Sequence, residues 1–213
     1  RYGLQGLPWY EGARVLAVQR FGKSVVLVVS NENESRYIVV ELGMTGLLLF
    51  EREFVPSQKH LHVIIKISNV RHTTLYYWNA RRFGRLYLLN EHECQAFRQR
   101  RFGVEPLAIS EKEFVMLIQK CSGRVKALLL NQHRIAGIGN IYANEILFRA
   151  GIHPHAKGNR LSKFRIQVLF EEMQKVLREA INKGGSSIRD YLSPDGVQGK
   201  FQNYHQVYRR VGQ

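Results

Sequence analysis

Several groups of residues in this chain could do chemistry, and each type points to a different kind of partner. The stretch Asn131-Gln132-His133-Arg134-Ile135-Ala136-Gly137-Ile138-Gly139-Asn140-Ile141-Tyr142-Ala143-Asn144-Glu145 reads as a helix end, a glycine turn and a helix start. Gly137 and Gly139 permit a tight backbone path, Asn140 suits a helix N-cap, and Gly151 stands where that helix should stop. A turn that aims backbone N–H groups outward before a helix N-terminus is an anion site. Lys23 follows the turn residue Gly22, and its ammonium could hold a phosphate or donate a proton. His60 and His62 lie two apart, which on a strand puts both on one face. A metal pair there would need a third ligand that the spacing does not supply. Aspartate occurs at 190 and 195 and nowhere earlier. The carboxylate cluster that two-metal nucleases and polymerases require is therefore missing.

The charge balance says what anion to expect. Lys and Arg number 32 against 17 acids, a formal net charge of +15. Residues 1–100 hold 14 basic and 8 acidic residues, and residues 101–213 hold 18 and 9, so the positive field does not sit in one tail. A polyanion, and in particular nucleic acid, is the partner such a field attracts. Cys94 and Cys121 form neither a metal-spaced pair nor a disulfide framework, which points to a reducing, intracellular compartment. No run of 18 apolar residues exists, and the opening Arg1-Tyr2-Gly3-Leu4 lacks a signal-peptide pattern.

Two kinds of element must position these groups. The first half is β-patterned, with short Val, Ile, Leu and Tyr-rich runs at 13–18, 24–29, 36–42, 46–50, 62–67, 73–78 and 85–89. Gly22, Asn31-Glu32-Asn33, Pro56-Ser57 and Ser68-Asn69 punctuate them, as in an antiparallel sandwich. The second half is helical. Ser110-Glu111-Lys112-Glu113 is a capping box opening a helix to about Lys120. Further helices are expected at 124–131, 140–150 and 162–183. The last carries Ile166, Leu169, Phe170, Met173, Val176, Leu177, Ala180 and Ile181 on one face and ends at Gly184-Gly185. Gly103 and Pro106 break the pattern between the halves. Residues 184–203 form a long Gly and polar loop of the kind that is usually functional.

Taken together, these segments resemble the formamidopyrimidine-DNA glycosylase and endonuclease VIII family. The turn at 131–145 is similar to that family's helix-two-turn-helix. Leu42-Gly43-Met44-Thr45-Gly46, Lys59-His60-Leu61-His62 and Arg81-Arg82-Phe83-Gly84 resemble its β-domain motifs. Gly184-Gly185-Ser186-Ser187-Ile188-Arg189-Asp190-Tyr191-Leu192 resembles its lesion-capping loop, and Gln206-Val207-Tyr208 the start of its C-terminal zinc finger. The matches are collinear over about residues 14–210. The resemblance implies an α+β protein of two domains. A β-sandwich at 1–103, with part of its N-terminal side missing, precedes a helix-two-turn-helix domain at 104–213 that carries the capping loop 184–203. Duplex DNA with damaged bases would lie in the cleft between them, and the protein would act as a monomer.

The resemblance also implies an activity: excision of oxidised bases and cleavage of the abasic site, which requires flipping the nucleotide out of the duplex. Met44, Arg81 and Phe83 would fill the vacated stack. Flexible Met and flat Phe suit wedging between bases, and Arg can bond the orphaned partner base. Core strand residues are the competing reading of Met44 and Phe83. Lys23 matches the lysine that assists catalysis from the β domain, His60 a contact to phosphate or sugar, and Lys126 and Asn140, with Arg124 nearby, a phosphate clamp. The competing readings are a strand-end surface lysine for Lys23, a solvated helix lysine for Lys126 and a pure N-cap for Asn140.

Some positions depart from the family pattern. Asn79-Ala80 and Asn131 stand where the family often has Asp-Pro and Asp, Lys200 replaces an aromatic, and Arg209-Arg210 replaces a glycine-containing step. The family's nucleophile is an N-terminal proline amine, whereas this sequence begins with Arg1, whose amine is expected to lie away from a flipped sugar. The four-cysteine zinc hairpin is likewise outside it; zinc belongs to that finger, and no cofactor is expected within the 213 residues. The expectation is a base-excision repair glycosylase and abasic-site lyase that works through an N-terminal amine Schiff base, inside the cell with the nucleoid or nucleus. Its rivals are a catalytically inactive damage-binding homologue and an RNA- or ribosome-binding protein.

Overall fold

The computed structural model describes residues 7–32, 34–68, 74–188 and 191–208. Arg1, Asn33, Asn69, Thr73, Arg189, Asp190, Arg209 and Arg210, all invoked above, lie outside the described residues. The chain divides into two compact units, Arg1–Gln99 with Ser187–Gly199, and Arg100–Ser186 with Lys200–Gln213.

In the first unit the alternating and β-branched runs become seven strands: β1 (Arg14–Phe21), β2 (Ser24–Asn31), β3 (Glu34–Glu41), β4 (Gly46–Leu49), β5 (Leu61–Lys66), β6 (Thr74–Asn79) and β7 (Arg85–Asn90). They form two antiparallel sheets, one ordered β1-β2-β3-β7 and the other β4-β6-β5. Leu27, Val29, Ile38 and Val40 from the first sheet pack on Leu48, Leu75 and Tyr77 from the second, which makes the sandwich core. The strands fall within two residues of the expected runs at most ends.

One element departs from the sequence expectation. Residues 91–101, to which the sequence patterning assigns no element, form helix α1 (Glu91–Arg101), in which Cys94 is the buried residue. It lies over the outer face of the first sheet: Phe97 meets Tyr87 at 5.0 Å, the Arg98 guanidinium sits 5.2 Å from the Phe21 ring, and Tyr37 donates to Glu91. With little apolar periodicity, it is held by these contacts and by a reciprocal cap, Asn90 N–H to Glu93 and Glu93 N–H to the Asn90 side chain, both 2.9 Å.

The second unit holds α2 (Glu111–Gln119), α3 (Val125–Leu130), α4 (Asn140–Arg149) and α5 (Lys163–Asn182). Ser110 and Glu113 form the expected capping box on α2. The apolar stripe of α5, through Ile166, Leu169, Met173, Val176 and Ala180, packs with Phe114, Ile118, Leu129, Ile138 and Ile146 in one core. No helix of the described residues is long and apolar enough to cross a membrane.

Candidate nucleic-acid interface

In the first unit, two loops at the ends of strands each carry a large exposed apolar residue, as do strand β1 at Val15, Leu16 and Val18 and strand β5 at Ile64. One loop follows β3 and holds Met44; the other follows β6 and holds Arg81 and Phe83. Gly43 has φ +65°, and a Cβ there would come within 2.9 Å of the Phe83 and Gly84 backbone, so the first loop can press against the second. Met44 is 69% exposed and Phe83 60% exposed, which excludes core strand roles for both. The Arg81 guanidinium lies 5.1 Å over the Phe83 ring and donates to the Met44 sulfur at 3.5 Å. A thioether, a ring and a guanidinium thus stand together in solvent, a costly arrangement for a surface with no partner.

What holds them is polar and buried. Asn79, at the end of β6, is 1% exposed. Its side-chain amide donates to the Leu42 carbonyl (3.3 Å) and the Tyr77 hydroxyl (2.9 Å), and its oxygen accepts from the Thr45 hydroxyl (3.1 Å) and the Arg82 N–H (3.0 Å). Sequence reasoning marked Asn79 as a departure but missed this role.

His60 and His62 do not share a strand face. His60 ends the 3-10 turn Gln58–His60, where its ring stands edge-on to Trp78 at 5.8 Å and its buried Nδ1 has no partner among the described residues. His62 is the second residue of β5, at a register shift between Leu61 and Val63, and its Nε2 bonds the Asn79 carbonyl at 2.9 Å, so its ring supports the same platform. Lys23 sits at the tip of the β1–β2 hairpin, after Gly22 at φ +55°, with Phe21 paired to Ser24. Partial burial lowers its ammonium from the ordinary lysine value. The residue as a whole remains exposed.

In the second unit the two-turn segment between α3 and α4 is braced from both sides. Gln132 donates to the Leu130 and Ile138 carbonyls, each at 3.0 Å, and accepts from the Gly137 N–H at 2.8 Å. The Gly137 N–H is therefore spent inside the turn rather than aimed outward. Gly103 lies against the Arg134 and His133 carbonyls, where a Cβ would meet oxygen at 2.3 and 2.6 Å. Ile135, Ala136 and Ile138 are fully buried, whereas His133 and Arg134 are exposed.

Asn140 is not the N-cap of α4. Gly139 takes that position in extended conformation with no side-chain cap, and Asn140 is the first helical residue, its side chain exposed. The backbone N–H groups of this first turn thus receive no side-chain cap, and the amide of Asn140 stands beside them. Arg124 caps α3 without a side-chain bond and is exposed; Lys126, two residues on, is half-buried. Among the described residues neither cation has a carboxylate partner.

Sequence reasoning also missed Glu145, which is fully buried on α4 and accepts the N–H groups of Gln206 (2.7 Å), Val207 (3.1 Å) and Tyr208 (3.1 Å). An acid at a buried register beside Ile146 and Leu147 was the signal. Burial pushes the nearby His205 imidazole below its usual value, while Glu145 pulls it back up. Its Nε2 is 3.0 Å from the Ser186 hydroxyl.

After Gly184 and Gly185, both at positive φ, the long loop leaves the helical unit. Residues 187–199 group with the β unit. The Phe50 N–H donates to the Pro194 carbonyl at 2.9 Å, Leu192 packs on Leu47, Leu49 and Trp78, and Gly196 lies against the Phe54 ring. Among the described residues no three His, Cys, Asp or Glu side chains converge to hold a metal, so the zinc implied by the resemblance has no ligand set among them.

Comparison with known proteins places both halves. Residues 7–86 match the formamidopyrimidine-DNA glycosylase N-terminal domain, and residues 102–191 match the formamidopyrimidine-DNA glycosylase H2TH domain. The chain is 40% identical over 202 residues to a formamidopyrimidine-DNA glycosylase of Solibacter usitatus, covering 95% of this chain and 72% of that protein. It is similar to the MutM (Fpg) protein of Thermus thermophilus, with TM-score 0.83 and 34% identity over 97% of this chain and 75% of that one. It is also similar to the Lactococcus lactis Fpg in a complex with DNA containing an abasic site, with TM-score 0.79 and 33% identity over 92% and 71%.

Proposed function

The chain belongs to the formamidopyrimidine-DNA glycosylase family, and on that premise we propose how its residues serve base-excision repair of duplex DNA. It is a DNA glycosylase with abasic-site lyase chemistry, and its partner is double-stranded DNA carrying damaged bases. Lys126 and Asn140, with Arg124, hold phosphates of the strand that carries the lesion. Two cations without carboxylate partners and an uncapped helix start supply charge and N–H donors there. His60 adds a phosphate or sugar contact. Met44, Arg81 and Phe83 occupy the stack that a flipped nucleotide vacates.

The chemistry follows from the flipped state. An amine at the protein's N-terminus attacks the sugar C1′ and the glycosidic bond breaks, the electron pair leaving with the base, which is protonated. The covalent amine becomes a Schiff base as the C1′–O4′ bond breaks and the ring oxygen takes a proton; loss of a C2′ proton then expels the 3′ phosphate and breaks the strand on that side. Lys23, exposed and on a short hairpin, assists by holding a phosphate or delivering a proton. A protein doing this works inside the cell, where the genome is.

The observation that carries this reading is the joint exposure of Met44, Arg81 and Phe83 on a hydrogen-bonded polar platform. The test is borohydride trapping by the protein with its natural N-terminus on a duplex containing a formamidopyrimidine base. A covalent adduct and a nicked strand are expected. Tight binding of that duplex with neither product would leave a damage-binding protein without catalysis.

A further inference from the structure

The network beneath the wedge has a direction that can be traced donor by donor. The Tyr77 hydroxyl donates to the Glu41 carbonyl at 3.3 Å, so toward Asn79 it acts as acceptor. The Leu42 carbonyl can only accept. Both therefore require the NH2 side of the Asn79 amide. On the other side, the Arg82 N–H can only donate, which requires the amide oxygen. The Thr45 hydroxyl gives its proton to that same oxygen and accepts the Arg81 N–H at 3.2 Å. Every donor meets an acceptor in a single arrangement. A carboxylate at position 79 would place oxygen against the Leu42 carbonyl with no proton between them.

Through these bonds one amide and one hydroxyl join the loop that carries Met44 to the loop that carries Arg81 and Phe83. Apolar packing cannot do this work, because Met44 and Phe83 face solvent. Unstacking a base step costs free energy that the wedge must offset. A wedge on loose loops would lose part of its interaction energy to ordering itself, whereas a preset wedge would not.

We propose that Asn79 and Thr45 are positioning residues that preset the Met44–Arg81–Phe83 wedge and so set how strongly the protein discriminates distorted from intact duplex. This rests on the wedge reading given above. Neither residue is exposed enough to be the wedge itself; Asn79 is buried and Thr45 half-buried. They act through the residues that touch DNA.

Thr45→Val removes the hydroxyl at nearly constant shape, and Thr45→Ala removes it without the extra methyl should the valine disturb folding. Thr45→Ser keeps it. Affinity is measured by anisotropy for a duplex with a tetrahydrofuran abasic analogue and for the same duplex undamaged, with Phe83→Ala alongside. The loss of Thr45's bonds should cut the preference for the abasic duplex roughly fivefold, the scale of one net hydrogen bond. Binding to the undamaged duplex should hold, and Thr45→Ser should restore the preference. If Thr45→Val and Thr45→Ala keep the preference while Phe83→Ala loses it, the inference fails and the wedge reading stands. If they weaken both duplexes equally, their role is merely structural and the inference fails. If Phe83→Ala also keeps the preference, the wedge reading falls and takes the inference with it.

Discussion

The two loops of the β unit and the two-turn segment of the helical unit are built on opposite plans. At 42–45 and 79–84 a polar side chain is buried beneath exposed apolar ones: Asn79 is 1% exposed while Met44 is 69% and Phe83 60%. Between α3 and α4 the apolar residues Ile135, Ala136 and Ile138 are buried, and His133, Arg134 and Asn140 stand outside. The difference separates two tasks. An exposed wedge gains free energy only where a base stack is already open or opening. Exposed cations beside a helix start gain it from any phosphate backbone, whatever the bases. In the function proposed for these residues, discrimination belongs to the first region and general affinity to the second.

The largest effect should come from removing what holds the helical region together. Glu145→Ala leaves three backbone N–H groups without their acceptor and should cost about 3 kcal/mol, several degrees in Tm. Thermal unfolding checks this; an unchanged Tm would mean that the segment 206–208 contributes little. Lys126→Ala comes next. A loss of about 1–3 kcal/mol in binding is expected on every duplex alike, with the salt dependence shallower by roughly one ion. Affinity measured across salt concentrations checks it, and a loss confined to abasic duplex would erase the division of labour. The smallest effect concerns pH. His205 is held below its ordinary value by burial, so the unfolded chain takes up its proton first as pH falls. Its contribution to stability is present above about 6.5 and is lost as pH drops toward the folded value. The wild-type Tm should thus decline below that pH more steeply than that of His205→Gln.

The β strands were legible because their period-2 patterning and turn residues coincide, and α2 and α5 because cap and apolar stripe coincide. Helix α1 was not legible from periodicity, since Glu91–Arg101 buries a single described residue. Its Asn90–Glu93 cap was present in the sequence but stood without an apolar stripe behind it. The N-cap of α4 was misplaced by one residue because Asn140 is the better capping type, yet Gly139 alone takes the extended turn conformation. Met44, Arg81 and Phe83 could be named from their motifs. That they converge could not, because the convergence depends on hydrogen bonds from Asn79 and Thr45 across 34 to 37 residues of chain.

One comparison tests the division between the two regions directly. Phe83→Ala and Lys126→Ala are each measured for affinity to an abasic-analogue duplex and to the same duplex undamaged. Phe83→Ala should lose affinity for the abasic duplex and leave the undamaged one near wild type, because the wedge acts on the opened stack. Lys126→Ala should lose on both by the same factor. Equal losses on both duplexes for Phe83→Ala would contradict the account and reduce the exposed wedge to a structural feature of its loops.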